Sequence, residues 1–189
     1  MNKYIFNIII TLSLFGCQSV NTILEKPVKK QKIEKNSGAY YLDDGPEESL
    51  PEGLDNITDA VPKYEPLSKR ANRPYVAFNK KYTPMKKIIP FKEEGYASWY
   101  GKRYHGRKTS IGEIYNMYEM TGAHKTLPLP CYIKVTNLKN KRSVIIRVND
   151  RGPFIDERIV DLSYAAAHRL DIIENGSEIV KIEMINPSL

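Results

Sequence analysis

An acidic residue, Asp150, ends an apolar and strand-like stretch that begins at Ser143. Side chains alternate across a β-strand, so Asp150 shares the face of Val144, Ile146 and Val148 if the regular pleat continues to its end. An apolar setting disfavours the charged form of a carboxyl, which suits a general acid. The neighbouring arginines would oppose this effect, and the sequence leaves the balance open.

Two more residues with acid–base side chains stand in loops. Glu113 follows the glycine of TSIG at 109–112, and His124 precedes KTLP at 125–128. Taken separately, each is weak evidence, because a loop glutamate is usually solvated and a lone histidine is more often structural than catalytic. His105 and His124 lack a ligand cluster at zinc spacing, so no metal is predicted.

Short β-rich runs and one small helix must position these residues. The predicted strands cover 95–100, 132–137, 143–149, 158–160 and 179–185, and the second and third form a hairpin. Ser163 is a suitable N-cap for a helix over 164–170. Asp161 precedes this helix and is expected to help cap it rather than to be catalytic. The pattern predicts a mainly β domain, a small barrel, over residues 95–189.

The first 16 residues have the pattern of a secretory signal. Their apolar run from Tyr4 to Phe15 is too short to cross a bilayer as a helix. The residues 14–17 resemble a bacterial lipobox that would place lipid on Cys17, although an incidental cysteine after a plain secretory signal is the alternative. The residue after Cys17 is Gln18 and not an aspartate. This favours an exported lipoprotein that is anchored in the outer membrane and faces the periplasm.

Residues 17–94 have the composition of a disordered tether. They hold eight of the twelve prolines and show no sustained period of 3.6 or 2 residues. Residues 63–92 interleave aromatic and basic side chains in a chain of net charge +7, a pattern that nucleic-acid-binding proteins also show. Export argues against nucleic acid and favours acidic wall polymers, lipid headgroups or no partner at all. Cys131 is predicted to be a small buried apolar residue.

Five motifs in the C-terminal half carry a resemblance to a known family. They are GYASWYG (95–101), YHGRKTSIGE (104–113), GAHKTLP (122–128), KVTNLKNKRSVIIRVNDRGPF (134–154) and RIVDLSYAAAHRL (158–170). Together they resemble the rare lipoprotein A family. The resemblance implies a six-stranded double-psi β-barrel with one or two short helices, preceded by the tether. It also implies a lytic transglycosylase that needs no cofactor and cuts peptidoglycan glycan strands, with a preference for strands without stem peptides.

The resemblance further implies that Asp150, Glu113 and His124 are catalytic. The reaction would break the β-1,4 bond after N-acetylmuramic acid without water and close a 1,6-anhydro ring. Asp150 is expected to protonate the leaving oxygen. Either the ionised Asp150 or the pair of Glu113 and His124 would then take the proton of the C6 hydroxyl. Ile111 replaces a polar residue of the family pattern in the loop before Glu113.

Aromatic and basic residues near these motifs are candidates for substrate contacts. Tyr100 and Tyr104 could stack on sugar rings, and Trp99 could either do the same or pack in the barrel core. Arg107 and Arg151 could contact the lactyl carboxylate or the acetamide groups of the glycan.

Two non-catalytic functions remain open at this point. Expansin-like relatives keep the barrel and bind polysaccharide without cutting it, so the chain could be a wall-binding protein. A scaffold at the division site, with cell-division proteins as partners, is a further alternative. The presence of all three reactive side chains favours the enzyme.

Overall fold

The computed structural model describes residues 44–45, 52–155 and 157–187. The predicted signal peptide, Cys17 and the tether residues 17–43 and 46–51 lie outside these residues. Within the described ranges, no helix is both long enough and apolar enough to cross a membrane.

The elements follow one another along the chain in this order. They are a 3-10 turn at Leu54–Asn56, strands β1 (Tyr75–Ala77), β2 (Lys80–Tyr82), β3 (Lys92–Tyr100), β4 (Thr121–His124), β5 (Cys131–Asn137), β6 (Ser143–Asp150) and β7 (Arg158–Ser163), helix α1 (Tyr164–Arg169) and strand β8 (Glu178–Ile185).

Six of these strands close into a barrel in the order β3-β7-β4-β6-β5-β8. The pairs β3–β7 and β4–β6 are parallel, and the other four neighbouring pairs are antiparallel. Closure leaves no unpaired strand edge in the barrel. This arrangement confirms the mainly β prediction and the six-stranded double-psi β-barrel that the resemblance implies.

The barrel interior is filled by apolar side chains that alternate along the strands. On β6, Val144, Ile146 and Val148 are at most 1% exposed. The predicted hairpin is confirmed, because β5 pairs antiparallel with β6 over six residue pairs from Cys131↔Val148 to Thr136↔Ser143. Cys131 is buried in this core, as predicted.

The helix α1 packs closely on the barrel, because three of its four buried side chains are alanines. Ala165, Ala166 and Ala167 are fully buried. The hydroxyl of Ser163 accepts a hydrogen bond from the Ala166 N–H at 3.2 Å, which confirms the predicted N-cap. Asp161 is not the cap, because its carboxylate bonds to Ser98 on β3 instead.

Strand β4 escaped prediction because it has neither the composition nor the pattern of a typical strand. All four of its residues are buried, so no alternation shows in the sequence. Gly122 lets it approach its neighbours closely: a Cβ there would lie 2.7 Å from the Ile146 Cδ1 atom and 2.8 Å from the Asp161 carbonyl oxygen. Such a strand is specified by tertiary packing rather than by local preference.

The prediction of a disordered tether is wrong for residues 52–91, which lie against the barrel. The Ala60 N–H donates to the Ile145 carbonyl at 3.0 Å, and the Met85 N–H donates to the Thr126 carbonyl at 2.8 Å. Strands β1 and β2 form a small antiparallel hairpin in this segment. A proline-rich segment with little apolar surface of its own thus becomes ordered by using the backbone and side chains of the barrel.

Two reciprocal side-chain hydrogen bonds fix the middle of this N-terminal segment. The Asn72 amide donates to the Leu129 carbonyl at 2.8 Å and accepts from the Leu129 N–H at 2.9 Å. Farther towards the N-terminus, the Asp44 carboxylate accepts from the Gly101 N–H at 2.9 Å. The ordered domain therefore begins well before the boundary that was predicted at residue 95.

Candidate active site

A short loop brings two of the candidate acid–base residues to the end of β6. Lys108 and Ile114 form an isolated antiparallel bridge that closes this loop. Inside it, the Thr109 N–H donates to the Glu113 carbonyl at 2.7 Å, and the Gly112 N–H donates to the Thr109 carbonyl at 2.9 Å. Gly112 has a φ of +94°, a conformation that favours glycine. The backbone of the loop is therefore fixed, and its side chains reach the barrel from a defined position.

The Asp150 carboxylate accepts hydrogen bonds from this loop and from the backbone of the next residue. Its Oδ1 atom accepts from the Ser110 N–H at 2.8 Å, from the Ser110 hydroxyl at 2.5 Å and from the Arg151 N–H at 2.7 Å. Within the described part of the chain, these three are the hydrogen bonds that the carboxylate accepts. None of them involves the Oδ2 atom.

The apolar setting predicted for Asp150 is wrong, because the regular pairing of β6 breaks just before it. Gly122 on β4 pairs with Val148, but the next residue of β4, Ala123, pairs with Asp150, so the register shifts by one residue. Asn149 is consequently buried, whereas Asp150 is partly exposed. Irregularities of this kind re-aim side chains and are common beside active sites.

Glu113 is held by two polar side chains of β6. Arg147 donates from Nη1 to Oε2 at 2.7 Å and from Nη2 to Oε1 at 2.9 Å. The Asn149 amide donates to Oε2 at 3.0 Å. The hydrogen bond from Arg147 is the main cause that lowers the pKa of Glu113 below its ordinary value. Glu113 is therefore a carboxylate suited to accept a proton or to face positive charge, and not to donate a proton.

Arg147 also binds Glu65, which lies in the N-terminal segment. Its Nε donates to Oε1 at 2.8 Å and its Nη2 to Oε2 at 2.7 Å, while the Tyr132 hydroxyl donates to Oε1 at 2.5 Å. These residues and Glu113 line an open groove of about 500 Å³. Sequence reasoning missed Glu65, because it stands in a proline-rich stretch far from its partners in the chain and belongs to no motif.

The ring nitrogens of His124 form hydrogen bonds with groups other than Asp150 and Glu113. Nδ1 accepts from the Thr126 N–H and the Leu127 N–H, each at 3.0 Å, so the proton resides on Nε2, which faces a Glu93 carboxylate oxygen at 3.3 Å. The ring is buried, and burial is the main cause that lowers the pKa of His124. Among the residues that the structure describes, no group of three or more potential metal ligands is present.

The aromatic residues predicted to stack on sugars fall into two groups. Tyr100 is only 9% exposed and stacks on Tyr115 at a centroid distance of 4.2 Å, so the prediction for it is wrong. Trp99 packs edge-on against Tyr164 in the core. Tyr104 is 39% exposed, and Arg107 lies over its ring at 5.9 Å. Of these aromatic residues, Tyr104 therefore stays available for a substrate together with Arg107, because Trp99 and Tyr100 are both buried at the end of β3.

Arg151, also predicted to contact substrate, instead joins three parts of the protein. Its Nη1 donates to the Leu127 carbonyl at 2.6 Å and to the His124 carbonyl at 3.1 Å. Its Nη2 donates to Asn72 at 2.7 Å, and both Nη2 and Nε donate to the Ala71 carbonyl. The guanidinium has five N–H donors, and the protein uses all of them. The prediction that Arg151 binds the glycan directly is therefore wrong.

A third carboxylate, Asp161, lies beside the candidate acid. Asp161 on β7 and Asp150 on β6 both pair with Ala123 on the strand between them, so the two residues share one row across the barrel. Asp161 accepts a hydrogen bond from Ser98, and burial is the main cause that raises its pKa. A Cβ on Gly152 would lie 3.7 Å from its Oδ2 atom, so Asp161 lies against the loop that follows Asp150.

Comparison with known proteins gives a family match and several relatives. Residues 92–183 match a family described as "Lytic transglycolase". A Vibrio cholerae protein named "Endolytic peptidoglycan transglycosylase RlpA" is 45% identical over 185 residues, which cover 98% of this chain and 64% of that protein. Proteins of the same name from Neisseria meningitidis serogroup B and Pseudomonas aeruginosa are 56% and 52% identical and align with 68% and 71% of this chain. The chain covers 54% and 39% of their lengths, so it spans less than two thirds of each of these three relatives.

Proposed function

Because this chain belongs to the rare lipoprotein A family, we propose that it is an endolytic peptidoglycan transglycosylase. It would cleave the β-1,4 bond between N-acetylmuramic acid and N-acetylglucosamine and leave 1,6-anhydro ends. One observation carries this proposal: a single loop holds two carboxylates at one end of the barrel. Ser110 donates to Asp150, and Glu113 accepts from Asn149, the residue before Asp150.

Asp150 is the proposed acid, because its hydrogen bonds with the residues that the structure describes all involve Oδ1 and leave Oδ2 unused. The Oδ2 atom of the protonated residue would donate its proton to the glycosidic oxygen while the bond from that oxygen to C1 breaks. The departing N-acetylglucosamine residue then carries the proton as its C4 hydroxyl. The three donors on Oδ1 stabilise the carboxylate that remains.

Glu113 is the proposed electrostatic partner, since Arg147 keeps it ionised. A carboxylate near C1 would stabilise the positive charge that develops on the sugar ring. The C6 hydroxyl oxygen of N-acetylmuramic acid then forms the new bond to C1, and its proton returns to Asp150. No water enters this sequence, so the enzyme ends in the state in which it began.

His124 is proposed to position the site rather than to transfer a proton. Its ring ties the turn after β4 together through the Thr126 and Leu127 N–H groups, and its carbonyl accepts from Arg151. Tyr104 and Arg107 are the proposed substrate contacts that remain from the sequence analysis. Both side chains are exposed and adjacent.

Several broader features are also proposals. Residues 1–16 would direct export, Cys17 would carry the lipid anchor, and residues 17–51 would connect that anchor to the ordered domain. The protein would act in the cell envelope, as an outer-membrane lipoprotein that faces the periplasm. Peptide-poor glycan strands are the proposed substrate, and cell-division proteins are possible partners that its position in the envelope would allow.

The decisive experiment compares the full chain with its Asp150→Asn variant on intact sacculi and on peptide-free glycan strands. Mass spectrometry should detect anhydro-ended sugars with the parent and at least about 100-fold fewer with the variant, because a positioned acid contributes that much or more. Glycan that both proteins bind but neither cuts would instead establish a wall-binding barrel.

A further inference from the structure

The N-terminal hairpin and the segment before it build a second groove beside Asp150. This groove, of about 390 Å³, is lined by residues that include Arg70, Arg73, Tyr75, Ser110 and Phe154. Ser110 is also the residue that donates two hydrogen bonds to Asp150. A ligand in this groove would therefore lie next to the proposed acid, on the side formed by residues that precede the barrel.

One wall of the groove is aromatic. The ring of Phe154 lies 6.1 Å from Tyr75, 5.6 Å from Tyr82 and 5.8 Å from Phe78, measured between centroids. Phe154 follows the loop after Asp150, whereas the other three rings belong to the β1–β2 hairpin. The hairpin and the loop after Asp150 thus share a common apolar surface, of the kind on which a sugar ring can stack.

Phe78 lies at the turn of the β1–β2 hairpin, where the backbone conformation does not favour an aromatic residue. Phe78 and Asn79 form the two-residue turn between β1 and β2, with φ values of +47° and +61°. Such turns favour Asn and Gly, because a bulky side chain at positive φ is strained. The Phe78 side chain is nevertheless 83% exposed. Strained and exposed aromatic residues are characteristic of ligand-binding surfaces.

The groove is also lined by basic side chains. Arg70 and Arg73 are both exposed, and neither guanidinium forms an ion pair with another residue that the structure describes. Arg151 also lines the groove, but its donors are already used by backbone carbonyls and Asn72. Two available guanidinium groups beside an aromatic surface fit a sugar that carries a carboxylate.

From this geometry we infer that the groove binds an N-acetylmuramic acid residue whose lactyl carboxyl group is free. Arg70 and Arg73 contact the carboxylate, and the rings of Phe78 and Phe154 contact the sugar. In a strand that carries stem peptides, the same carboxyl is an uncharged amide and extends into a peptide. The inference rests on the proposed function, and it supplies a physical reason why that function would select peptide-free strands.

The test uses two forms of one glycan. Peptide-free strands are compared with strands whose lactyl carboxyl groups have been converted to methylamides, and binding is measured by calorimetry with the full chain carrying Asp150→Asn, so that nothing is cut. We expect about tenfold tighter binding of the free acid, the difference that hydrogen bonds to a charged group provide. The added double substitution Arg70→Gln/Arg73→Gln should abolish this difference. Phe78→Ala should weaken the binding of both glycans by a similar factor.

Arg142→Gln is the matched control, because it removes one exposed positive charge at the other end of β6, roughly 25 Å away. It should leave the preference for the free acid unchanged. Equal binding of both glycans by the parent, or an unchanged preference in the double variant, would overturn the inference. The proposed function is tested separately with the chain that keeps Asp150. Release of anhydro ends from both glycans at equal rates would uphold the function and overturn the inference, whereas release from neither glycan would contradict the function itself.

Discussion

Arg147 and Glu113 form a bidentate ion pair, with N–O distances of 2.7 and 2.9 Å. The same guanidinium binds Glu65 with N–O distances of 2.8 and 2.7 Å. Arg147 therefore joins the loop that carries Glu113, strand β6 and the N-terminal segment in one charged network. The hydrogen bond to Glu65 is the main cause that raises the pKa of Arg147, so its guanidinium stays charged.

Replacing Arg147 by glutamine should destabilise the protein by about 2 kcal/mol, because two carboxylates lose their charged donors. For a protein of this size, that corresponds to a fall in Tm of roughly 4–8 °C. Differential scanning calorimetry measures the change directly. Arg142→Gln removes the same charge from an exposed turn and should shift Tm by less than about 2 °C. Equal shifts for both variants would mean that the network contributes nothing beyond net charge.

The Arg147→Gln variant should also shift the pH dependence of glycan cleavage. The hydrogen bond from Arg147 lowers the pKa of Glu113, so in the parent this carboxylate stays ionised to a pH below its ordinary value of 4.5. Without Arg147, burial would dominate and Glu113 would take up its proton at a higher pH. The acid limb of the rate profile should therefore move to higher pH. An acid limb in the same place would show that ionised Glu113 is not needed for cleavage.

Two substitutions of His124 can distinguish a role in positioning the site from a role in proton transfer. Asparagine can place its side-chain oxygen near the site of Nδ1 and accept from the Thr126 and Leu127 N–H groups. We expect His124→Asn to keep most of the parent's Tm and of its release of anhydro sugars. His124→Ala should lower the stability by about 2–3 kcal/mol, because it leaves buried donors unpaired. Equal loss of cleavage in both variants, with Tm preserved in His124→Asn, would restore the predicted catalytic role of the imidazole.

The sequence predicted the parts of the site that depend on local pattern. The alternation from Val144 to Val148 gave the buried face of β6, and the Ser163 cap placed α1. The environment of Asp150 was not predictable, because it depends on pairing with β4, whose four buried residues show no strand pattern. The burial of Tyr100 and the bonding of Arg151 likewise depend on neighbours that are distant in the chain.

The ordered N-terminal segment was missed for a related physical reason. A disorder prediction from composition asks whether a segment can bury enough apolar surface by itself. Residues 52–91 do not need to bury much apolar surface by themselves, because their hydrogen-bonding partners belong to the barrel. Ala60 bonds to Ile145, and Asn72 bonds to Leu129. Composition carries no information about a surface that the rest of the chain provides.

Asp161 should make the stability of the protein depend on pH. Burial raises its pKa, so the folded state holds the proton of Asp161 more tightly than the unfolded state does. The resulting stabilisation is complete below the unfolded pKa and is lost as the pH rises through the raised folded value. Asp161→Asn should therefore raise Tm relative to the parent at pH 7, and the gain should shrink as the pH falls towards 4. Thermal melts across this range test it, and a Tm difference that is independent of pH would contradict it.

Arg151 should decide how firmly the N-terminal segment is attached to the barrel. Its guanidinium donates to Ala71 and Asn72 on one side and to His124 and Leu127 on the other. A lysine keeps the charge but cannot reproduce the planar fork that makes these bonds. We expect Arg151→Lys to lose about 2–4 kcal/mol of stability and to become several-fold more sensitive to limited proteolysis within residues 63–73. Arg107→Lys, at an exposed arginine, is the control. If mass spectrometry finds the same cleavage rate in this segment for the parent and both variants, Arg151 does not hold the segment in place, and the groove that contains Arg70 and Arg73 would depend on the Asn72–Leu129 hydrogen bonds instead.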